Sequence, residues 1–270
     1  MACVIHFVMA GLVPAIHVFL LPASLVWIPA FAGMTGSVER QAFRCSRPAS
    51  ATDLCYASVM EPAESVLFFF GLFAMVAEAM TAALAAGRRK MDWFGVAMLG
   101  CITALGGGSL RDVLLGHYPL LWVKYPSLLF LTGGAALLTI ALARVVHRFH
   151  TLFLVLDAIG LVVFTIIGCN VARSMGHPVT IVVVAGMITG CAGGVLRDIL
   201  CTEVPLLFRS ELYASVSLMT GAIYVAGTQF GTEHVAVVIG SVAFGLTFRL
   251  LAIRYKWEMP KFIYEREGPH

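Results

Sequence analysis

Beyond Met60, apolar runs of about 20 residues, the length a bilayer-crossing helix needs, alternate with short polar loops. The pattern predicts spans near 66–86, 93–115, 127–143, 152–172, 179–200, 212–230 and 235–253. Their separators are charged: Gly87-Arg88-Arg89-Lys90, Arg144 to His150, and Arg173 to His177, with Arg254, Lys256, Lys261 and Arg266 after the last run. The fold class expected is an all-α polytopic membrane protein with seven transmembrane helices.

The first part of the chain follows a different pattern. Residues 1–34 are apolar and carry no Lys, Arg, Asp or Glu, so the basic start of a signal peptide is missing. Pro14, Pro22 and Pro29 would interrupt a span. Residues 35–60 are polar and loop-like, and 9–19 and 27–36 look like translated intergenic repeats. The expected start is therefore Met60, with 1–59 a non-native or disordered extension; the alternative is an extra, poorly ordered anchor.

Composition agrees with a membrane protein. Of 270 residues, 60% are hydrophobic and 12% charged, the latter about half the share of a soluble domain. A soluble enzyme, a disordered chain and a disulfide scaffold are excluded. The net charge of +3 is too mild to suggest nucleic acid. Cys3, Cys45, Cys55, Cys101, Cys169, Cys191 and Cys201 form no CxxC pair and read as small apolar residues. Basic residues concentrate at Arg88, Arg89, Lys90, Arg144, Arg148, Arg209 and the C-terminus, against Lys124 and Arg173 on the other side. The positive-inside rule then places the start of the first span outside and the C-terminus in the cytoplasm.

One repeat organises the chain. Residues 100–123 and 186–209 align without a gap at an offset of 86, with 12 of 24 positions identical, including GGxLRDxL and a downstream Pro-Leu-Leu. The motif lies in the second and fifth spans. Three spans separate equivalent points, and an odd number inverts the second copy. The expected organisation is a first three-helix repeat over 60–150, an inverted second one over 151–233, a seventh helix over 234–255 and a tail over 256–270. Inverted 3+3 repeats are typical of transport proteins, whose sites lie where the halves meet.

The motif suggests where that site is. Gly106, Gly107 and Gly108, and likewise Gly193 and Gly194, fall in mid-span. Consecutive glycines weaken a helix by about 1 kcal/mol each, and unwound backbone at membrane depth needs protein or a water-filled path beside it. These glycines are expected to break or kink their helices at an ion pathway; the alternative is close helix packing through small residues. Arg111-Asp112 and Arg197-Asp198 are expected to pair inside the protein and brace the pore, for example Arg of one repeat to Asp of the other. Glu78 has no charge partner one turn away on its own span. It is either a site for cation attraction or proton coupling, or a structural hydrogen-bonding group. Asp157 reads as a helix N-cap. Lys124, Tyr125 and Arg209 read as interfacial anchors that could contact lipid head groups, and Trp93, Trp122 and Trp257 as an aromatic belt. No HExxH, Walker A, GxGxxG or GxSxG occurs. No enzyme activity, cofactor or resident metal is expected.

Residues 91–123, 156–172 and 189–200 resemble the prokaryotic branch of the trimeric intracellular cation channel family, over about 65–255. The resemblance implies seven transmembrane helices, a homotrimer in the cell inner membrane, and one pore per protomer for monovalent cations, chiefly potassium, with sodium and membrane lipids as further partners. It carries the ion path past Gly106, Gly107, Gly108, Gly193 and Gly194. Ala192 stands where the first half has Gly106, and the lysine-rich lipid-binding motif of animal members is missing, so phosphoinositide gating is not carried over. A secondary transporter of a small solute, coupled to protons through Glu78, is the alternative function. A lipid-phosphate enzyme lacks a nucleophile–base pair, and a purely structural trimer leaves two buried Arg-Asp pairs unexplained.

Overall fold

The computed structural model describes residues 62–143, 149–209, 212–230, 234–255 and 257. The segment 1–59 and its start at Met60, Arg144, Arg148, and Lys256, Lys261 and Arg266 of the tail lie outside them. The described residues form α1 (Pro62–Arg88), α2 (Trp93–Leu115), the single turn α3 (Leu121–Lys124), α4 (Ser127–Ala143), α5 (Phe149–Ser174), α6 (Val179–Leu200), the single turn α7 (Leu206–Arg209), α8 (Tyr213–Gln229) and α9 (His234–Tyr255).

Five of these, over Ser65–Arg88, Trp93–Leu115, Thr151–Ser174, Val179–Leu200 and His234–Tyr255, are long and apolar enough to cross a membrane. The two remaining long helices, α4 and α8, have 17 residues each. At 1.5 Å per residue they reach about 26 Å, short of a hydrocarbon core of about 30 Å.

The helix ends have local causes. The Asp92 carboxylate caps α2 by accepting the Gly95 N–H at 2.7 Å. Gly116 closes it with φ 71°, the left-handed conformation that costs glycine nothing. The same turn recurs 86 residues on, where Thr202 adopts φ 55°. Lys90 after α1 and Gly176 after α5 form a second such pair, at φ 54° and 81°. Adding 86 to α1, α2, α3 and α4 lands on α5, α6, α7 and α8 to within a residue or so. The repeat seen in the sequence is therefore also a repeat of backbone turns.

Packing places the two motif helices together. α1 packs on α2, α4 and α5; α5 packs on α6, α8 and α9; and α2 packs directly on α6. α5 is the most enclosed candidate span, followed by α1. Polar groups lie within: Glu78, Arg111, Asp112, Asp157, Arg197, Asp198 and Arg249 are buried. Large apolar side chains face outward, among them Phe69, Trp93, Phe94, Phe130 and Phe208. Side chains of this kind on the outside and charges on the inside suit a protein whose solvent is lipid.

Candidate functional site

The α2–α6 crossing is made by glycines in a reciprocal way. A Cβ on Gly193 would stand 2.5 Å from the Thr103 carbonyl oxygen, and one on Gly107 would strike the Thr189 carbonyl oxygen. Thr103 and Thr189 occupy equivalent places in the two copies of the motif. Each helix thus offers a glycine to the carbonyl of the other, and two backbones meet with no side chain between them. Gly106 packs under Leu196, whose Cδ1 would be 2.6 Å from an added Cβ. The expected breaks are absent: helical hydrogen bonding runs through Gly106, Gly107 and Gly108 in α2 and through Gly193 and Gly194 in α6. The close contact explains why. Each glycine's missing side chain is used to bring two intact helices together, which is the packing role of small residues in membranes.

The Arg-Asp pairs are made within each motif and not between the repeats. Arg111 Nε and Nη2 donate to Asp112 Oδ1 at 3.0 and 2.6 Å, and the same oxygen lies 3.1 Å from His117 Nδ1. Arg197 Nε donates to Asp198 Oδ1 at 2.8 Å. The remaining oxygen of Asp198 accepts the Leu206 N–H at 2.8 Å, which ties α6 to α7.

Around Arg197 the second half has more. Its Nη1 donates to Asp157 Oδ1 at 2.8 Å and to Thr81 Oγ1 at 3.0 Å, and lies 3.9 Å from Glu78 Oε2. Its guanidinium carbon stands 4.5 Å from the centre of the Phe153 ring, a cation–π distance. Glu78 itself accepts from Thr81 at 3.2 Å and presses its carboxylate onto Gly160, where any side chain would collide with it. Glu78 therefore has a charge partner on another helix. Asp157 is not an N-cap: it sits two turns inside α5, fully buried, against Arg197.

Three helices thus bring three carboxylates and one guanidinium into a buried cluster, Glu78 from α1, Asp157 from α5, and Arg197 and Asp198 from α6, with Tyr213 of α8 beside them. Tyr213 Oη would be 3.0 Å from a Cβ on Gly194, and the Tyr213 ring lies 4.7 Å from the guanidinium carbon of Arg249 on α9. Thr81, Phe153, Gly160, Tyr213 and Arg249 were not evident as site residues in the sequence. Arg249 had a signal, being an arginine within the seventh apolar run; the others have none, because only packing brings them to Arg197. Gly108 lies apart from this cluster, with Arg111 Nη2 3.9 Å from where its Cβ would be. Cys201, just past α6, is a free thiol whose burial pushes its pKa upward. Among the described residues no three of His, Cys, Asp and Glu are placed to hold a metal ion.

An all-helical bundle with apolar outer faces, a buried charge cluster and two motif helices in backbone contact defines a polytopic membrane protein. The model of a family described as glycine transporters matches the chain twice, over residues 68–144 and 154–229. The two matches start 86 residues apart (154 − 68), the offset of the repeat. The UPF0126 inner membrane protein YadS of Escherichia coli strain K12 is 40% identical over 195 residues, covering 70% of this chain and 93% of that protein. The crystal structure of the TRIC trimeric intracellular cation channel orthologue from Rhodobacter sphaeroides superposes with a TM-score of 0.69 at 31% identity, covering 71% of this chain and 99% of that one. A TRIC structure that reports the basis of conductance through TRIC cation channels gives a TM-score of 0.67 at 35% identity, over 73% and 98%. The chain belongs to the trimeric intracellular cation channel family, in its prokaryotic branch, together with the UPF0126 membrane proteins.

Proposed function

We propose that this protein is a homotrimeric channel of the inner membrane for monovalent cations, potassium above sodium, with one pore in each protomer. Its seven long helices cross the membrane as an inverted 3+3 repeat plus α9, and its C-terminus lies in the cytoplasm. Two halves of three long helices each, related by the 86-residue offset, support the inversion, since an odd number of crossings reverses direction. The observation that carries the channel reading is the reciprocal glycine contact of α2 and α6, in a fold shared with TRIC cation channels. The ion path runs along this crossing, past Gly106, Gly107, Gly108, Gly193 and Gly194. Unbroken helices in backbone contact are the closed form, and conduction requires them to separate. Arg111-Asp112 and Arg197-Asp198 brace the helix ends on either side, and Glu78 supplies negative charge.

Potassium current across a planar bilayer containing the purified protein tests this. Unitary currents that reverse at the potassium Nernst potential, and that fall in Gly108→Leu and Gly194→Leu, are expected. Potassium flux unchanged in both variants would refute the glycine path.

A second reading is a secondary transporter of a small solute. It is favoured by the description of the matching family as glycine transporters and by the cluster at Arg197, which is better suited to holding a ligand than to passing an ion. Slow, saturable uptake into liposomes that give no unitary current would establish it.

A further inference from the structure

One aromatic ring meets two arginines. The guanidinium carbon of Arg197, buried in α6, stands 4.5 Å from the centre of the Phe153 ring, and that of Arg88, exposed at the end of α1, stands 5.4 Å from it. Phe153 itself is buried, one turn inside α5. The ends of α1 and α6 and the start of α5 lie at one face of the bundle, since Arg89 pairs with Glu203 there and Arg88 reaches Phe153. The ring is thus the layer between that face and the charge cluster. Asp157 follows one turn deeper on the same side of α5, and Glu78, Thr81 and Arg88 share a stripe of α1.

The cluster behind the ring is incompletely bonded. Arg197 Nη2, Asp157 Oδ2 and Tyr213 Oη are buried and make no hydrogen bond within the protein. The packing is too close to admit a larger molecule: a Cβ on Gly194 would stand 3.0 Å from Tyr213 Oη and 3.5 Å from both Arg197 Nη2 and Asp157 Oδ1. Buried polar groups are satisfied in nearly all proteins, so the closed arrangement carries a cost that entering water would remove. Against it stands the contact of the ring with two cations, which opening would break. Opposed contributions of this kind are what an element with two accessible states requires.

We propose that Phe153 is a gate: it closes the charge cluster against water and hydrated monovalent cations arriving at the Arg88 face, and Arg88 holds it shut. With the ring swung aside, water reaches Arg197, Asp157 and Tyr213 and supplies their missing hydrogen bonds, and a cation meets the carboxylates of Asp157 and Glu78. The device belongs to one half alone. At the positions equivalent to Phe153 and Arg88 the chain has Leu67 (153 − 86) and Ser174 (88 + 86), an aliphatic and a neutral side chain that cannot form a cation–π contact. Duplication of the fold therefore does not account for it. The gate is defined by water reaching the cluster, so it stands whether the protein conducts ions or carries a solute.

The test is radiolytic hydroxyl-radical footprinting of the purified full chain, read as the rate of oxidation at Tyr213, a buried side chain that is labelled only when water stands beside it. Phe153→Leu removes the π face with little loss of volume and should raise the rate, while Phe153→Tyr keeps the ring and should not. Arg88→Gln changes only a surface side chain, so it guards against a folding artefact. It should raise the rate by about twofold to fivefold, the worth of one exposed cation–π contact, and should add nothing in the Phe153→Leu background. Lys90→Gln, which removes a charge two positions on, should have no effect. A Tyr213 rate that Arg88→Gln leaves unchanged, or that Lys90→Gln raises as much, overturns the gate and leaves Phe153 a packing residue. Potassium current recorded from the same preparation reads the channel separately. Current with an unresponsive Tyr213 overturns the gate alone, and a responsive Tyr213 without current retains the gate and overturns the channel.

Discussion

Arg197 and Asp157 are joined across α6 and α5 by a 2.8 Å hydrogen bond that the first half of the molecule does not have. Among the described residues Arg111, the equivalent arginine, bonds only the aspartate next to it, while Arg197 also reaches Thr81 and approaches Glu78. Two copies of one motif therefore sit in different electrostatic surroundings. Removing a charge from one partner of a buried ion pair is far more costly than its surface equivalent, by about 3–5 kcal/mol.

It follows that the two arginines should differ in what their loss does. Arg197→Met strands Glu78, Asp157 and Asp198 together in the interior. Arg111→Met strands only Asp112, which retains His117 as a neighbour. Unfolding in detergent should show Arg197→Met as the more destabilised by at least about 1–2 kcal/mol. Equal losses would mean that the extra partners of Arg197 contribute nothing.

The glycine crossing predicts a contrast among alanine substitutions. In Gly107→Ala and Gly193→Ala the new methyl meets a backbone carbonyl of the facing helix, which cannot rotate away. A cost of about 1–3 kcal/mol is expected for each. Gly134→Ala in α4 meets nothing within 4 Å. It should be neutral or stabilising by up to about 1 kcal/mol. Thermal unfolding of the three variants side by side checks the crossing directly.

Backbone strain gives a prediction of the opposite sign. Thr202 holds φ 55° where its counterpart Gly116 holds 71°. A β-branched residue is poorly suited to that region, and the left-handed conformation costs an L-residue about 1–2 kcal/mol. Thr202→Gly should therefore raise stability, offset in part by the greater freedom of glycine in the unfolded chain. A lower unfolding temperature would show that the threonine side chain contributes more than its strain removes.

For Glu78 the expected signature is a pH profile. If its carboxylate draws cations toward the path, protonation removes the attraction, so wild-type flux should fall as pH falls. Glu78→Gln has no charge to lose and should show a flat, low flux over the same range. Because glutamine keeps the shape that fills the hollow at Gly160 and can still accept from Thr81, folding should change less than flux. A variant whose profile still follows the wild type would assign Glu78 to structure.

A weak effect is expected at the surface. Arg89 and Glu203 form a 3.1 Å pair between the loop after α1 and the turn after α6, with side chains 39% and 31% exposed. Glu203→Gln should cost no more than about 1 kcal/mol, and less in high salt. Unfolding at two ionic strengths measures it. A larger loss would mark this contact as a latch between the halves.

The helices, their order and their duplication were legible in the amino-acid order alone. Hydropathy placed seven runs, and the seven long helices, from α1 at Pro62–Arg88 to α9 at His234–Tyr255, lie on them, while the single turns α3 and α7 fall between runs. This works because lipid forces each backbone to satisfy its own hydrogen bonds within one segment, so a long apolar run and a helix coincide. The GGxLRD repeat was legible for a similar reason: residue identity at a fixed offset survives without any knowledge of contacts. Two local readings failed on the same ground. Glycines in a helix signal either a break or a close approach, and only the facing carbonyls of Thr103 and Thr189 decided for approach. Asp157 near the start of an apolar run resembled a cap until α5 proved to begin eight residues earlier, at Phe149. Everything that concerns partners was left to the tertiary structure: that Arg197 gathers Asp157, Thr81 and Glu78 while Arg111 keeps to Asp112, and that Tyr213 completes the group around Gly194. Thr81 and Arg197, for example, lie 116 positions apart. Their meeting depends on which face each helix turns inward, and a hydropathy pattern that is apolar on every face does not record it.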